Sequence, residues 1–215
     1  MGSIESALKN YIESGKEEGG DKLREQLKKE SADKRYELLM NVEGVAAGRF
    51  RMKIGSHTVN VLSKGENWTG LHSATLADDL ETIKYMLDDF SSNQKYDVVK
   101  IQKSDKLTAL HIAADRGHTS IIYYLLSNLS QQQKYDLLKI QDMNGDTALH
   151  RAAIIENVEA AQAIKSSVSL PLMIQLLNIK NKKVEAVKYI RQVHDELLVL
   201  VSQGMISIYS IKLAV

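Results

Sequence analysis

Four residues recur at a fixed step, and that step limits what this chain can become. Thr108, Ala109, Leu110 and His111 return as Thr147, Ala148, Leu149 and His150, and are preceded by Thr69, Gly70, Leu71 and His72. The steps are equal, since 108 − 69 and 147 − 108 both give 39. A period of that size marks a unit that cannot bury its apolar face alone and must stack on copies of itself. The segment after Thr108 shows what the unit is. Thr108 suits an N-cap, where a hydroxyl can accept from an unpaired first-turn amide. Leu110, Ala113 and Ala114 give a short helix one apolar face, with small alanines that allow close approach. Gly117 follows, where a left-handed residue ends a helix with least strain. Ile121, Ile122, Leu125 and Leu126 then supply the apolar stripe of a second helix.

TALHIAADRGH followed by IIYYLL resembles the ankyrin repeat, whose pattern is Thr-Pro-Leu-His-x-Ala. The resemblance spans residues 66–181, and Asp115–His118 match the family's turn between its two helices. Ala109, Ala148 and Gly70 stand where the family has Pro, and the step exceeds the family's length of about 33 residues. The resemblance implies an all-α solenoid of helix-turn-helix units joined by β-hairpin loops.

Taken in order, residues 1–41 read as a worn, capping copy of the unit. Ser6-Ala7-Leu8 opens a helix, Glu17–Gly20 is a polar, glycine-rich break, and Leu23 and Leu27 form a thin seam in a second helix. The charge run Lys22–Lys34 reads as a solvated face. Residues 42–65 interrupt the period. Between Arg49 and Val61 apolar and polar residues alternate, and Gly55-Ser56 suits a two-residue hairpin turn. This predicts a β-hairpin in which Met52 opposes Val59, Phe50 opposes Val61, Arg51 opposes Asn60 and Lys53 opposes Thr58. In the repeats of 66–181, the extra residues 91–96 and 130–135 predict a capped turn of helix in each copy. Asn144-Gly145 predicts a tight turn, and Pro171 the first turn of a short helix. Residues 182–215 read as a degenerate repeat and an apolar tail, Met205–Val215.

Composition and motif exclude several classes of function. Net charge is +1, so there is no general pull toward nucleic acid or anionic membrane. There is no cysteine, so no disulfide framework and no thiolate site, which fits a reducing, cytoplasmic setting. The N-terminal MGSIESALKNYIES lacks the basic-then-apolar order of a secretory signal, although Gly2 and Ser6 fit the short, common N-myristoylation pattern. No phosphate loop, zincin pair or nucleophile elbow is present. His72, His111 and His150 do not make a metal ladder. Stacked helices stand about 10 Å apart and a zinc–imidazole bond is about 2 Å. The resemblance implies instead that each histidine bonds the turn of its own or the next repeat. Asp78-Asp79 and Asp88-Asp89 are adjacent, diverge on a helix, and make poor acid–base pairs. No catalytic residue, cofactor site or metal site is expected.

What remains is recognition of a protein partner by an intracellular adaptor or scaffold. The resemblance implies binding through hairpin tips and the concave face of the first helices. By position it selects Trp68, Leu107 and Asp146 at the tips. At the ends of the first helices it selects Leu76-Ala77, Asp115-Arg116 and Ile154-Ile155. Arg51 and Lys53 on the inserted finger are further candidates for an acidic partner. The alternative is a membrane-associated adaptor that uses the apolar tail, although 197–215 is too interrupted for a span of about 20 apolar residues. Leu213-Ala214-Val215 could also enter a carboxylate-binding groove as a strand.

Overall fold

The computed structural model describes residues 6–8, 10–11, 16–40, 47–54, 57–64 and 69–181. Trp68, the turn Gly55-Ser56 and the whole of 182–215 lie outside the described residues.

Each unit contains three helices. In the second unit these are α3 (Gly70–Leu76), α4 (Leu80–Leu87) and α5 (Ser92–Val99). The third has α6 (Ala109–Arg116), α7 (Thr119–Leu126) and α8 (Gln131–Leu138). The fourth has α9 (Ala148–Ile154), α10 (Val158–Ser167) and α11 (Leu170–Leu177). The first unit follows the same plan, with helical residues at 6–8 and 10–11, then α1 (Lys16–Leu27) and α2 (Ala32–Met40). First helices pack side by side (α3 on α6, α6 on α9), and third helices do the same (α2 on α5, α5 on α8, α8 on α11). The core runs between these layers: Leu71, Ile83, Met86, Leu110, Ile121, Ile122, Leu125 and Leu126 are all fully buried.

The 39-residue step is explained by the third helix. Ser91 and Ser130 accept from the Gln94 and Gln133 amides, and each Gln side chain reaches back to the serine N–H. This capping box starts a full two-turn helix where a single turn was expected. Pro171 falls in the first turn of α11, as its missing N–H requires. The third helix is also tied forward. Lys95, buried in α5, donates from Nζ to Tyr124 O at 2.6 Å, Ser127 O at 3.0 Å and Ser127 Oγ at 3.0 Å. Those carbonyls end α7 in the next unit, so a cation occupies the negative end of its dipole. Arg35 in α2 does the same for α4, donating to Asp88 O at 2.5 Å.

The first unit departs from its sequence reading in two places. Helix α1 continues through Glu17–Gly20, which had read as a break. A Cβ on Gly19 would stand 2.7 Å from Tyr11 Cα, so glycine is there to let two backbones touch. Arg24 is not part of a solvated face. Its side chain is 15% exposed, and Nη1 donates to Thr82 Oγ1 at 3.1 Å and Asp79 Oδ2 at 3.4 Å. Tyr11 donates to the same carboxylate oxygen at 3.0 Å. At Gly70 side chains rather than backbone make the approach, since a Cβ there would meet Leu8 Cδ1 at 2.4 Å and Met86 Cε at 3.1 Å.

β1 (Ala47–Ile54) and β2 (His57–Lys64) pair antiparallel, with Phe50 opposite Val61, Arg51 opposite Asn60, Met52 opposite Val59 and Lys53 opposite Thr58. This is the register expected from the alternation. The loops before α6 and α9 are tight turns rather than regular hairpins. Each closes with two backbone bonds: Lys103 N–H to Leu107 O at 2.9 Å and Lys106 N–H to Lys103 O at 2.8 Å in the first, Asp142 N–H to Asp146 O at 2.9 Å and Gly145 N–H to Asp142 O at 3.0 Å in the second.

Left-handed residues also keep the period: Asp78 (φ 54), Gly117 (φ 74) and Glu156 (φ 56) each sit between the first and second helix. Only Gly adopts that conformation without strain, which is on the order of 1 kcal/mol for other residues. Glu156→Gly should therefore raise stability by about 1 kcal/mol in urea denaturation. Gly19→Ala should lower it by about 1–3 kcal/mol, because backbone must move to admit the methyl group.

Candidate partner-binding surface

The start of each first helix is occupied by structural hydrogen bonds. In all three copies the threonine hydroxyl lies 2.8 Å from the histidine Nδ1, which also accepts the threonine N–H at 3.2–3.3 Å. With Nδ1 accepting, the proton sits on Nε2. In His111 that nitrogen donates across the unit boundary to Asp146 O at 3.1 Å. The turns are clamped in the same manner. Gln102 Nε2 donates to Lys106 O at 2.7 Å and to Gln141 O, one period on, at 3.3 Å. Gln141 repeats this with Gly145 O at 2.6 Å and Lys180 O at 2.9 Å. Asp142 Oδ1 accepts the Asn144 and Asp146 amides at 2.7 and 3.0 Å, and its Oδ2 pairs with Arg151. Burial, the largest single influence, pushes the Asp142 carboxyl up, but the hydrogen bonds from Arg151 and those two amides, with the Arg151 charge, together outweigh it and hold the group below the usual range.

This geometry removes three of the residues selected from sequence. Asp146 is 6% exposed, and its Oδ1 accepts from Asn181 Nδ2 at 2.8 Å. It belongs to the turn and is not offered to a ligand. Leu76, the last residue of α3, is 8% exposed and is part of the core. Leu107 is half-buried against the same core instead of standing on a tip. Trp68 lies outside the described residues. For Arg51 and Lys53 the structure fixes only the backbone register.

Four selected residues remain together. Asp115 and Arg116 end α6, and Ile154 and Ile155 occupy the same positions at the end of α9, which packs beside it. Arg151 Nη1 lies 3.5 Å from Asp115 Oδ1, bridging the two units. Arg116 is exposed. Ile154 is 60% and Ile155 41% exposed. Val158, the first residue of α10, is 43% exposed and extends this apolar spot across the turn. Sequence reasoning missed it because an apolar residue opening a helix reads as core, and Leu80, two periods earlier, is indeed packed there. Met143 is exposed too, at the tip of the turn before α9. It was legible as an apolar residue replacing Ser104 one period earlier. The tip and the helix end are separate, however. They stand at opposite ends of a seven-residue helix, about 10 Å apart along its axis.

The histidines supply a pH dependence. Burial pushes His72 and His111 down to about 4, with the Lys103 cation adding to the shift at His72, and burial lowers His150 too. They are neutral in the fold, whereas an unfolded histidine titrates near 6.5. Unfolding below that pH takes up protons, so their contribution is complete above about pH 6.5 and is lost as pH falls through about 4. The urea midpoint should fall steadily over that window, and His111→Gln should flatten the fall while lowering the midpoint at pH 7.5.

Among the described residues no group of three or more His, Cys, Asp or Glu could hold a metal ion, and no helix is long and apolar enough to cross a membrane. No curated protein matches the chain. A family model for ankyrin repeats in three copies matches residues 37–136 and 71–170. These ranges cover more than half of the sequence and include the Thr–His caps, the stacked first helices and the apolar spot. The chain belongs to the ankyrin repeat family, whose repeats are protein–protein interaction modules.

Proposed function

We propose that this chain is an intracellular adaptor or scaffold piece that binds a protein partner through the ends of its first helices in the third and fourth units. The observation that carries this reading is the exposure of Ile154, Ile155 and Val158 beside Arg116. The corresponding positions of the third unit are Asp115, Arg116 and Thr119, all polar. Exposed branched apolar groups add nothing to the fold, and with an arginine nearby they are common anchors of interfaces. The lack of cysteine supports an intracellular setting. We read 1–41 as a cap, 42–65 as an inserted finger, 66–181 as the binding array and 182–215 as a degenerate repeat with its tail.

The test is proximity labelling in cells, comparing wild type with an Ile154→Asp, Ile155→Asp variant that matches it by circular dichroism. Partners lost from the folded variant are the expected result. An unchanged set of partners would refute this surface and direct attention to the finger at 49–61 and the tail at 205–215.

A further inference from the structure

The chemistry of the partner can be taken one step further, resting on the reading just proposed. The apolar spot lies within five consecutive residues, Ile154 to Val158, and its rim is acidic. Glu156 stands between the isoleucines and Val158, and Glu159 follows at the second position of α10; both are exposed. Elsewhere on the array, three helix-surface acids are each neutralised by a lysine three residues away. Lys34 pairs with Glu37, Lys100 with Asp97 and Lys139 with Asp136. Among the described residues Glu156 and Glu159 form no ion pair. On the neighbouring unit Asp115 is engaged by Arg151, and Arg116 presents a positive charge. The field at the spot is therefore negative on the α10 side and positive on the α6 side. A ligand whose cations all lie along one flank is favoured in one orientation only.

We infer that this surface takes a basic amphipathic helix of a partner protein, its apolar stripe on Ile154, Ile155 and Val158 and its cations facing Glu156 and Glu159. A helix surface presents apolar residues at i, i+3 and i+4 over about one turn, which matches the span of such a spot. Two unneutralised carboxylates beside it add attraction that salt screens.

The probes are a fluorescein-labelled peptide of leucine and lysine in amphipathic helical order and its leucine–glutamate counterpart. Each is titrated with the full chain by fluorescence anisotropy. The lysine peptide should bind, and its affinity should fall about tenfold or more when salt is raised from about 50 to about 300 mM. Glu156→Gln with Glu159→Gln, and separately Ile154→Ser with Ile155→Ser, should each weaken it about tenfold. All are surface changes on a folded array. Equal binding of the glutamate peptide would overturn the inference. So would no binding of the lysine peptide, or affinity unchanged in either double variant. If cellular partners vanish on Ile154→Asp, Ile155→Asp while the lysine peptide does not bind, the protein-binding function stands and the basic helix fails. If the peptide binds as expected while the cellular partners are unchanged, the basic helix site stands and the proposed function fails.

Discussion

A neutral histidine holds two repeats at once, and the array depends on it. His111 accepts the Thr108 N–H through Nδ1 and donates through Nε2 to the Asp146 carbonyl of the next unit. The first bond satisfies a donor at a helix start, and the second reaches a carbonyl in a turn. The Thr108 N–H would otherwise be buried unpaired, at a penalty of about 1–3 kcal/mol, whereas the Asp146 carbonyl already accepts the Asp142 N–H at 2.9 Å and gains from the histidine a second bond that crosses the unit boundary. Such a relay works only with one proton on the ring. Burial keeps it there, so the packing that needs the histidine also fixes its charge. The glutamines at 102 and 141 apply the same device to the turns, with one N–H for the local turn and the other for the next.

The third helix adds a second set of ties at the far side of the unit. A longer repeat leaves more backbone to satisfy, and the chain meets this with cations. Arg35 and Lys95 each leave their own unit to end the second helix of the next one. Lys95 also lies 4.3 Å over the Tyr124 ring, so its ammonium is both hydrogen-bonded and faced by π density. The first unit has a second tie besides Arg35, with Tyr11 and Arg24 converging on the buried Asp79 carboxylate. Charge placed this way fixes register between neighbours, because an offset would leave a buried ion without a partner.

Periodic features were legible in the sequence, and features that depend on contact between distant residues were not. The step of 39, the Thr–His starts, the helix stripes and the hairpin register all follow from spacing along one short stretch. Gly19 and Gly70 did not, since their reason is the approach of Tyr11 and Leu8 from another helix. The full length of the third helix was under-read because a Ser-x-x-Gln capping box carries as much weight as the few residues that follow it. Asp146 was selected as a surface group on position alone. Its partner Asn181 is 35 residues away, so nothing local showed that the carboxylate is consumed by the next turn.

Internal repetition also supplies a physical test for which surface residues matter. Where three units share a structural demand, they share a residue: His72, His111 and His150 cap, and Ser91, Ser130 and Ser169 open the third helix. A position that breaks the pattern while its backbone conformation does not change is answering to something outside the fold. The turn after α9 is such a place by its exposure: the second unit also carries apolar and acidic residues there, Leu76, Ala77 and Asp78, but its Leu76 is buried where Ile154 is 60% exposed. Glu156 keeps the left-handed conformation of Gly117 without glycine's freedom, and Ile154 and Ile155 keep the backbone positions of Asp115 and Arg116 without their polarity. The fold is better served by Gly117, Asp115 and Arg116. A strained acid and two solvent-facing isoleucines in one turn therefore count against stability together, and a bound partner that covers the isoleucines while drawing on the charge would offset both terms.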